Sequence, residues 1–420
     1  MRRLITSPGS VVTILALLAA VACSGGSEEA PPSTAVAFEG ARAIVGDGRV
    51  LEGATIVVDG GRFTAVGTGG EATVPEGAER VDLTGRTVMP AIVDTHVHLN
   101  TTREELLEDL RQRAYWGVGA AMSLGSDPDE LAFEIRAQEI PGAARYRTAG
   151  RGITRPEPGR TEVPYWINTE DEARQAVQEL AGQQVDIVKI WVDDRNGQYD
   201  KLTPELYGAV IDEAHANDLR VTAHIFSLED AKGLLRAGID AFAHGVRDRD
   251  IDDEFVAMVD EHPALVLVPN LPGRGVPTDV SWLEGGVSAE QFAQLQKQAA
   301  SENPAAQEAF GIQARNLARM AGEGVIVALG SDGNTPWAPH QEMEDMVIAG
   351  MSPADVLVAA TGHGAELLRL DEAGTIEAGK SADFIVLEAN PLDDITSTRR
   401  IVSVYMRGDE VDRSAGAAAE

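Results

Sequence analysis

Cysteine is almost missing from this chain: Cys23 is the only one among 420 residues. No intramolecular disulfide can form, and no cysteine-based metal cluster can be built. Basic residues are also scarce, with 35 Lys and Arg against 67 Asp and Glu, for a net charge of -32. That balance argues against a nucleic-acid partner, or a membrane partner held through a basic surface. The acid is spread along the chain rather than gathered in a tail, which suits solubility and carries no catalytic information. Long apolar runs are absent as well. The one candidate, Val11 to Ala22, is too short to span a bilayer comfortably. No internal repeat appears beyond an alternation of strand and helix patterns. What remains, 44% hydrophobic and 24% charged residues, is the composition of a globular protein.

The start of the chain reads as a targeting segment. Met1-Arg2-Arg3 precedes the apolar run, and Leu18-Ala19-Ala20-Val21-Ala22-Cys23 resembles a bacterial lipobox, with Ala20 where Leu is usual. This predicts a signal peptide over 1–22, lipidation of Cys23 and a flexible tether to residue 36; an ordinary secretory signal is the alternative. Either version places the protein outside the cytoplasm, in the cell envelope, and any membrane contact would run through the lipid on Cys23.

Residues 37–87 alternate β-rich runs with Asp-Gly turns, as in Val57-Val58-Asp59-Gly60-Gly61, and predict a small antiparallel sheet. From Val88 the texture changes. Val88 to Leu99 reads as a buried strand carrying His96 and His98, about 7 Å apart on one strand face. Further strands are expected at 120–124, 144–148, 185–192, 220–225, 240–244, 264–268 and 325–332. Helices fall between them, including one long helical region over 288–322. Eight such units predict a closed (β/α)8 TIM barrel, an α/β fold, over 88–373. Residues 374–412 return to short strands. Both chain ends would therefore build one β-sandwich domain with the barrel inserted, and 413–420 would be a disordered tail.

The C-terminal strand ends of such a barrel face one site. They carry His96 and His98, Lys189, His224, His244 and Asp332. Each is a polar interruption of an apolar strand, which a buried wall excludes unless the group is paired or ligates something. Singly, each could be a satisfied core histidine, an edge lysine or a helix cap; six at matching depths could not all be. On Val185 to Val192, Lys189 shares a face with Ile187 and Trp191, a costly place for a free amine. His340 and His363 lie beyond the eighth strand and are weaker candidates, although His340 could reach the site.

The order His-x-His, Lys, His, His, Asp resembles the amidohydrolase superfamily in its two-metal form. The segment Gly374-Thr375-Ile376-Glu377-Ala378-Gly379-Lys380-Ser381-Ala382-Asp383 supports this, and so does Met89-Pro90-Ala91 before His96, with Ala91 where Gly is usual. His363 stands where that family usually has Asn. The resemblance implies that His96, His98 and Asp332 hold one divalent ion, most simply zinc, and His224 and His244 a second. Lys189, carboxylated by carbon dioxide, would bridge them. A metal-bridging hydroxide would be the nucleophile, with Asp332 as catalytic base and then acid. Within the superfamily the chain looks imidazolonepropionase-like or Xaa-Pro or Xaa-Arg dipeptidase-like. That implies hydrolysis of an amide bond in a dipeptide, an N-acyl amino acid or a cyclic amide. A mononuclear deaminase of a cyclic amidine, and a lactone or phosphotriester hydrolase, are the alternatives on this scaffold; a non-enzymatic surface lipoprotein fits the six ligand-type residues poorly. Trp191, Arg247, Asn270 and Asn334 are the candidates to line a small-molecule substrate pocket. Self-association is left open.

Overall fold

The computed structural model describes residues 33–128 and 130–414; the leader, Cys23, most of the tether and the end of the tail lie outside these. The two chain ends share one eight-stranded sheet. Its central strand, Val36–Ile44, pairs with Val50–Asp59 on one side. On the other it pairs first with Glu79–Asp82 and then with Thr87–Pro90. The sheet thus forks, and its branches fold over a common core of Phe38, Ile56, Phe63, Val88, Phe384 and Val386. Gly60 and Gly61, both at positive φ, make the tight turn between Asp59 and Arg62, where the strand twist favours that geometry. The C-terminal strand Phe384–Leu387 lies antiparallel to Thr87–Pro90, so the last part of the chain completes the sheet begun by the first.

The segment expected to be one strand from Val88 is two. Thr87–Pro90 belongs to the β-domain, whereas the barrel begins with β1 (Ile92–Val97). Ala91 is the switch point: its N–H bonds to Asp383 O, and the next N–H, of Ile92, bonds to Gly117 O inside the barrel. The remaining barrel strands are β2 (Val118–Ser123), β3 (Arg145–Thr148), β4 (Val188–Val192), β5 (Val221–Ile225), β6 (Ala241–Ala243), β7 (Val266–Val268) and β8 (Ile326–Val327). All pair in parallel, as two arcs. The seams close through Asp186 N–H to Thr148 O at 3.0 Å and Thr95 N–H to Leu329 O at 2.9 Å. The regular pairing of the eighth strand ends early because the backbone beyond it turns to scattered partners: Ala328 N–H to Leu267 O on β7, Leu329 N–H to Ala359 O, and Ser331 and Asp332 N–H to His96 O.

The long helical region also divides, into Ala289–Ala299 and Pro304–Gly322. Pro304 has no N–H to continue a preceding helix, and Asn303 instead accepts from Ala305 and Ala306 N–H as the cap of the second. Strand residues alternate between two cores. Val188, Ile190 and Val192 of β4 face the surrounding helices, whereas Ile187 joins Val93, Met122, Ala243, Val268 and Ala328 in the lumen. Lys189 shares the parity of Ile187, which turns its side chain inward.

Candidate metal centre

The strand ends deliver their polar residues to one place. His96 and His98 flank Val97 at the end of β1, with Nε2 atoms 3.3 Å apart. Asp332, just past β8, sets Oδ1 at 3.3 Å from His96 Nε2 and 3.2 Å from His98 Nε2. Its other oxygen is 3.5 Å from His244 Nε2, beyond β6. His224, on β5, brings its ring centroid to 4.7 Å from that of His244. Lys189 is fully buried on β4, its Nζ without a hydrogen-bond partner and 5.4 Å from the centre of the Trp191 ring. Three residues reach the site by leaving the strand with positive φ: His244 at 99°, Asn270 at 46° and Asp332 at 49°. Such conformations in non-glycine residues each cost about 1–3 kcal/mol and persist only where the surroundings enforce them.

Each of three imidazoles has one nitrogen secured. His96 Nδ1 is 2.9 Å from Asn270 Oδ1, an acceptor, so the ring donates there and leaves Nε2 free. His98 Nδ1 meets Ser126 Oγ at 3.2 Å. His224 Nε2 lies 3.0 Å from Asp193 Oδ2, which leaves Nδ1 as the nitrogen able to ligate. This is the outer-shell pattern that orients metal-binding imidazoles. Asp193 is held in turn by Arg195 at 2.6 Å, and Arg195 by the buried Glu157 at 3.1 Å. Behind the cluster, fully buried Asp94 pairs with Arg113 and accepts from His96 N–H, Ser331 N–H and Ser331 Oγ, pinning β1 to the segment that carries Asp332.

Burial drives His96 and His244 well below the usual imidazole range. Burial also takes His224 down to about 3, against the pull of Asp193. All three are neutral at physiological pH, the form that ligates. Burial alone would raise the Asp332 carboxyl, but His96, His98 and Lys189 outweigh it and hold the group far below the usual range, so it is ionised. For Lys189, burial dominates over the attraction of Asp332 and pushes the amine down to about 7. A substantial share of it is therefore an unprotonated nucleophile near neutral pH.

This donor set fits divalent cations. Ligands at about 2.0–2.1 Å in a tetrahedron around zinc stand about 3.3–3.4 Å apart, and His96, His98 and Asp332 Oδ1 lie 3.2–3.3 Å from one another, with His244 3.5 Å from the other Asp332 oxygen. The orphaned Nζ of Lys189 in the lumen is the other mark of a missing partner.

The residues expected to line the pocket fare differently. Trp191 lies against Gly125 and Gly152, where a Cβ would stand 2.6 and 2.1 Å from its ring. Asn270 is engaged by His96 rather than facing open space. Asn334 is turned away, donating to Asp109 Oδ2 at 3.0 Å on the first barrel helix. Arg247 is half-buried beyond β6. His340 does not join the cluster: it is buried against Trp116, with Nε2 2.9 Å from Trp116 O. His363 bonds Val327 O at 2.9 Å. A cavity of about 580 Å³ beside His363, between Gly322–Val327 and Gly350–Ser352, gathers none of the ligand-type residues of the cluster.

A sequence model of the amidohydrolase family matches residues 87–411. The chain belongs to the amidohydrolase family. Among relatives, an uncharacterized protein of Mycobacterium tuberculosis is 32% identical over 206 residues, 45% of this chain and 53% of that protein, so the match spans about half of its length. An imidazolonepropionase of Deinococcus radiodurans is 27% identical over 403 residues, 88% of this chain and 94% of that one. Among solved structures, a putative prolidase from Bifidobacterium longum superposes with a TM-score of 0.74 at 27% identity, over 91% of this chain and 95% of that chain. The amidohydrolase barrel and its flanking β-domain account for nearly all of the described residues.

Proposed function

We propose that this amidohydrolase is a metal-dependent hydrolase of an amide C–N bond in a small molecule, such as a dipeptide, an N-acyl amino acid or a cyclic amide. The observation that carries the reading is the convergence of His96, His98 and Asp332 at zinc-like separations, with His244 on the other Asp332 oxygen and a buried, unpartnered Lys189 on the same lumen face. His96, His98 and Asp332 would hold one ion, His224 and His244 another, and Lys189, as its carbamate, would join the two. Two such ions would supply a hydroxide near neutral pH and a Lewis acid for the scissile carbonyl. Asp332 is ionised and can take the proton of the attacking water and hand it to the leaving nitrogen. Asn270 and Asp193 keep His96 and His224 in the required tautomers, and Ser126 Oγ meets His98 Nδ1.

A second reading, a mononuclear deaminase of a cyclic amidine, draws on the compactness of one trio. The ligand atoms of His96, His244 and Asp332 all lie within 4.8 Å of one another, while His224 Nε2 is committed to Asp193. Metal analysis of the purified protein, followed by a screen of N-acyl amino acids, dipeptides, lactones and cyclic amidines, separates the two. Two ions per chain with amide turnover is expected. One ion with turnover of amidines alone selects the second reading, and metal-loaded protein that cleaves no amide refutes the first.

We also propose that the enzyme works in the cell envelope, tethered by a lipid on Cys23; the support is the basic start, apolar run and lipobox-like residues before that cysteine. Cys23→Ala should move the protein from the membrane fraction to the soluble one, and an unchanged distribution would refute the anchor.

A further inference from the structure

Two arginines stand beside the cluster with unfilled hydrogen-bonding capacity. Arg247 follows β6 at the same end of the barrel as the ligands, its backbone N–H fixed to Phe226 O at 2.9 Å. Its Nε is buried and without a partner. The acids next to it in sequence are all occupied elsewhere. Asp248 takes Arg249 at 2.7 Å and Leu228 N–H at 2.9 Å. Asp250 takes Arg315 at 2.7 Å, and Asp252 takes Lys232 at 2.7 Å. Arg247 makes no ion pair of its own among the described residues, although it senses the charges of Asp332, Asp193 and Arg195. Arg195 is the second. Two of its nitrogens serve Glu157 and Asp193, but Nη2 is buried and unfilled. The chain holds it in a left-handed conformation at φ 55°, with its N–H on Asp193 Oδ1 at 2.9 Å.

A guanidinium withdrawn from water without a carboxylate is costly, and a chain with a large surplus of acid has no lack of carboxylates to supply. Leaving Arg247 without an ion pair at the ligand end of the barrel, beside the one unfilled nitrogen of Arg195, keeps it for an anion brought from outside. A planar fork of N–H donors matches a carboxylate.

Building on the amide-hydrolase reading, we propose that Arg247 and the free Nη2 of Arg195 form an anion subsite for a substrate carboxylate. The substrates are then N-acyl amino acids or dipeptides with a free C-terminal carboxylate, and neutral amides of the same shape are poor substrates. The carboxylate binds on the β4–β6 side of the cluster, which sets the scissile carbonyl over the ligand residues and leaves the acyl group toward solvent.

The test uses the zinc-loaded full chain and two matched panels: N-acetyl-L-amino acids, and the same compounds as primary amides. One charge-assisted contact predicts a preference for the acids of about 10- to 100-fold in kcat/KM. In Arg247→Gln that preference should collapse toward one, mainly through KM on the acids. A binding arm does not depend on turnover: the acids, but not the amides, should raise the thermal midpoint of the wild type, and the rise should vanish in Arg247→Gln with metal content unchanged. Equal turnover of acids and amides by the wild type overturns the subsite while leaving the amidase reading intact. No hydrolysis of either panel, with stabilisation by acids alone, overturns the amidase reading and keeps the subsite. No stabilisation by any acid, or the same stabilisation in the variant, overturns the subsite.

Discussion

Replacing Asp193 by Ala tests the assignment of the second metal position without touching a ligand. In the native arrangement Asp193 Oδ2 receives the Nε2–H of His224 at 3.0 Å and the Arg195 guanidinium at 2.6 Å. Losing the carboxylate has two effects. His224 is no longer confined to the tautomer that exposes Nδ1, and its ring is no longer fixed in rotation. Arg195 keeps only Glu157. Protonation of His224 is not the route, because burial already holds it down to about 3 and removing Asp193 withdraws the main influence that raises it. The cost is therefore one of orientation, for which outer-shell deletions typically lose 10–100-fold in metal affinity, or about 1.4–2.7 kcal/mol. It should fall on one ion only. Titration of metal-free protein with zinc against a chromophoric chelator should show two steps in the wild type. In Asp193→Ala the step assigned to His224 and His244 should weaken by that factor, while the step assigned to His96, His98 and Asp332 moves little. Asp193→Asn, which can still accept from Nε2–H, should recover part of the loss. An unchanged second step, or equal weakening of both, would refute the assignment.

Other perturbations probe independent parts of the structure. Lys189→Ala should reduce the bound metal from two ions to one, and native mass measurement of the wild type should show the added mass of one carbon dioxide; a variant retaining two ions and full activity would sink the bridge. His340 is buried and its pKa is pushed down to about 4 by burial. Its native pKa lies below the unfolded value of about 6.5, so its contribution is complete above pH 6.5 and is lost as pH falls toward 4. The amount is about 3 kcal/mol. Urea unfolding at pH 7.5, 5.5 and 4.5 should show a shallower acid loss in His340→Gln than in the wild type, and parallel curves would count against the linkage.

The barrel and the family were legible because a parallel barrel wall is apolar on both faces, so Lys189, His224 and His244 stand out as interruptions. What was not legible depends on turns. Asp193 and Arg195 follow β4 among other charged residues, and nothing in the sequence marks them, or the distant Glu157, as the chain of partners that holds His224. Asn270 was placed by pattern in a pocket-lining loop, yet its positive φ swings the amide onto His96. Asn334 was expected near substrate, but the adjoining helix offered Asp109 as a partner. The division at Ala91 had no local signal either, since Val88 to Val97 is uniformly buried and only the distant strand Phe384–Leu387 separates its halves.

That strand has a consequence for how the protein is made. Thr87–Pro90 runs directly into β1, yet its partner strand lies on the order of 300 residues downstream, a contact of very high sequence separation. A chain emerging in order exposes the open flank of Thr87–Pro90, with the first ligand pair just beyond it, until nearly all of the barrel has been synthesised. Unpaired strand edges of this kind invite association with other chains. Loss of the last forty or so residues would therefore leave a barrel with all of the clustered histidines, Lys189 and Asp332 in its sequence and an uncovered seam where its first strand begins. Such truncations should aggregate rather than accumulate as soluble, weakly active enzyme.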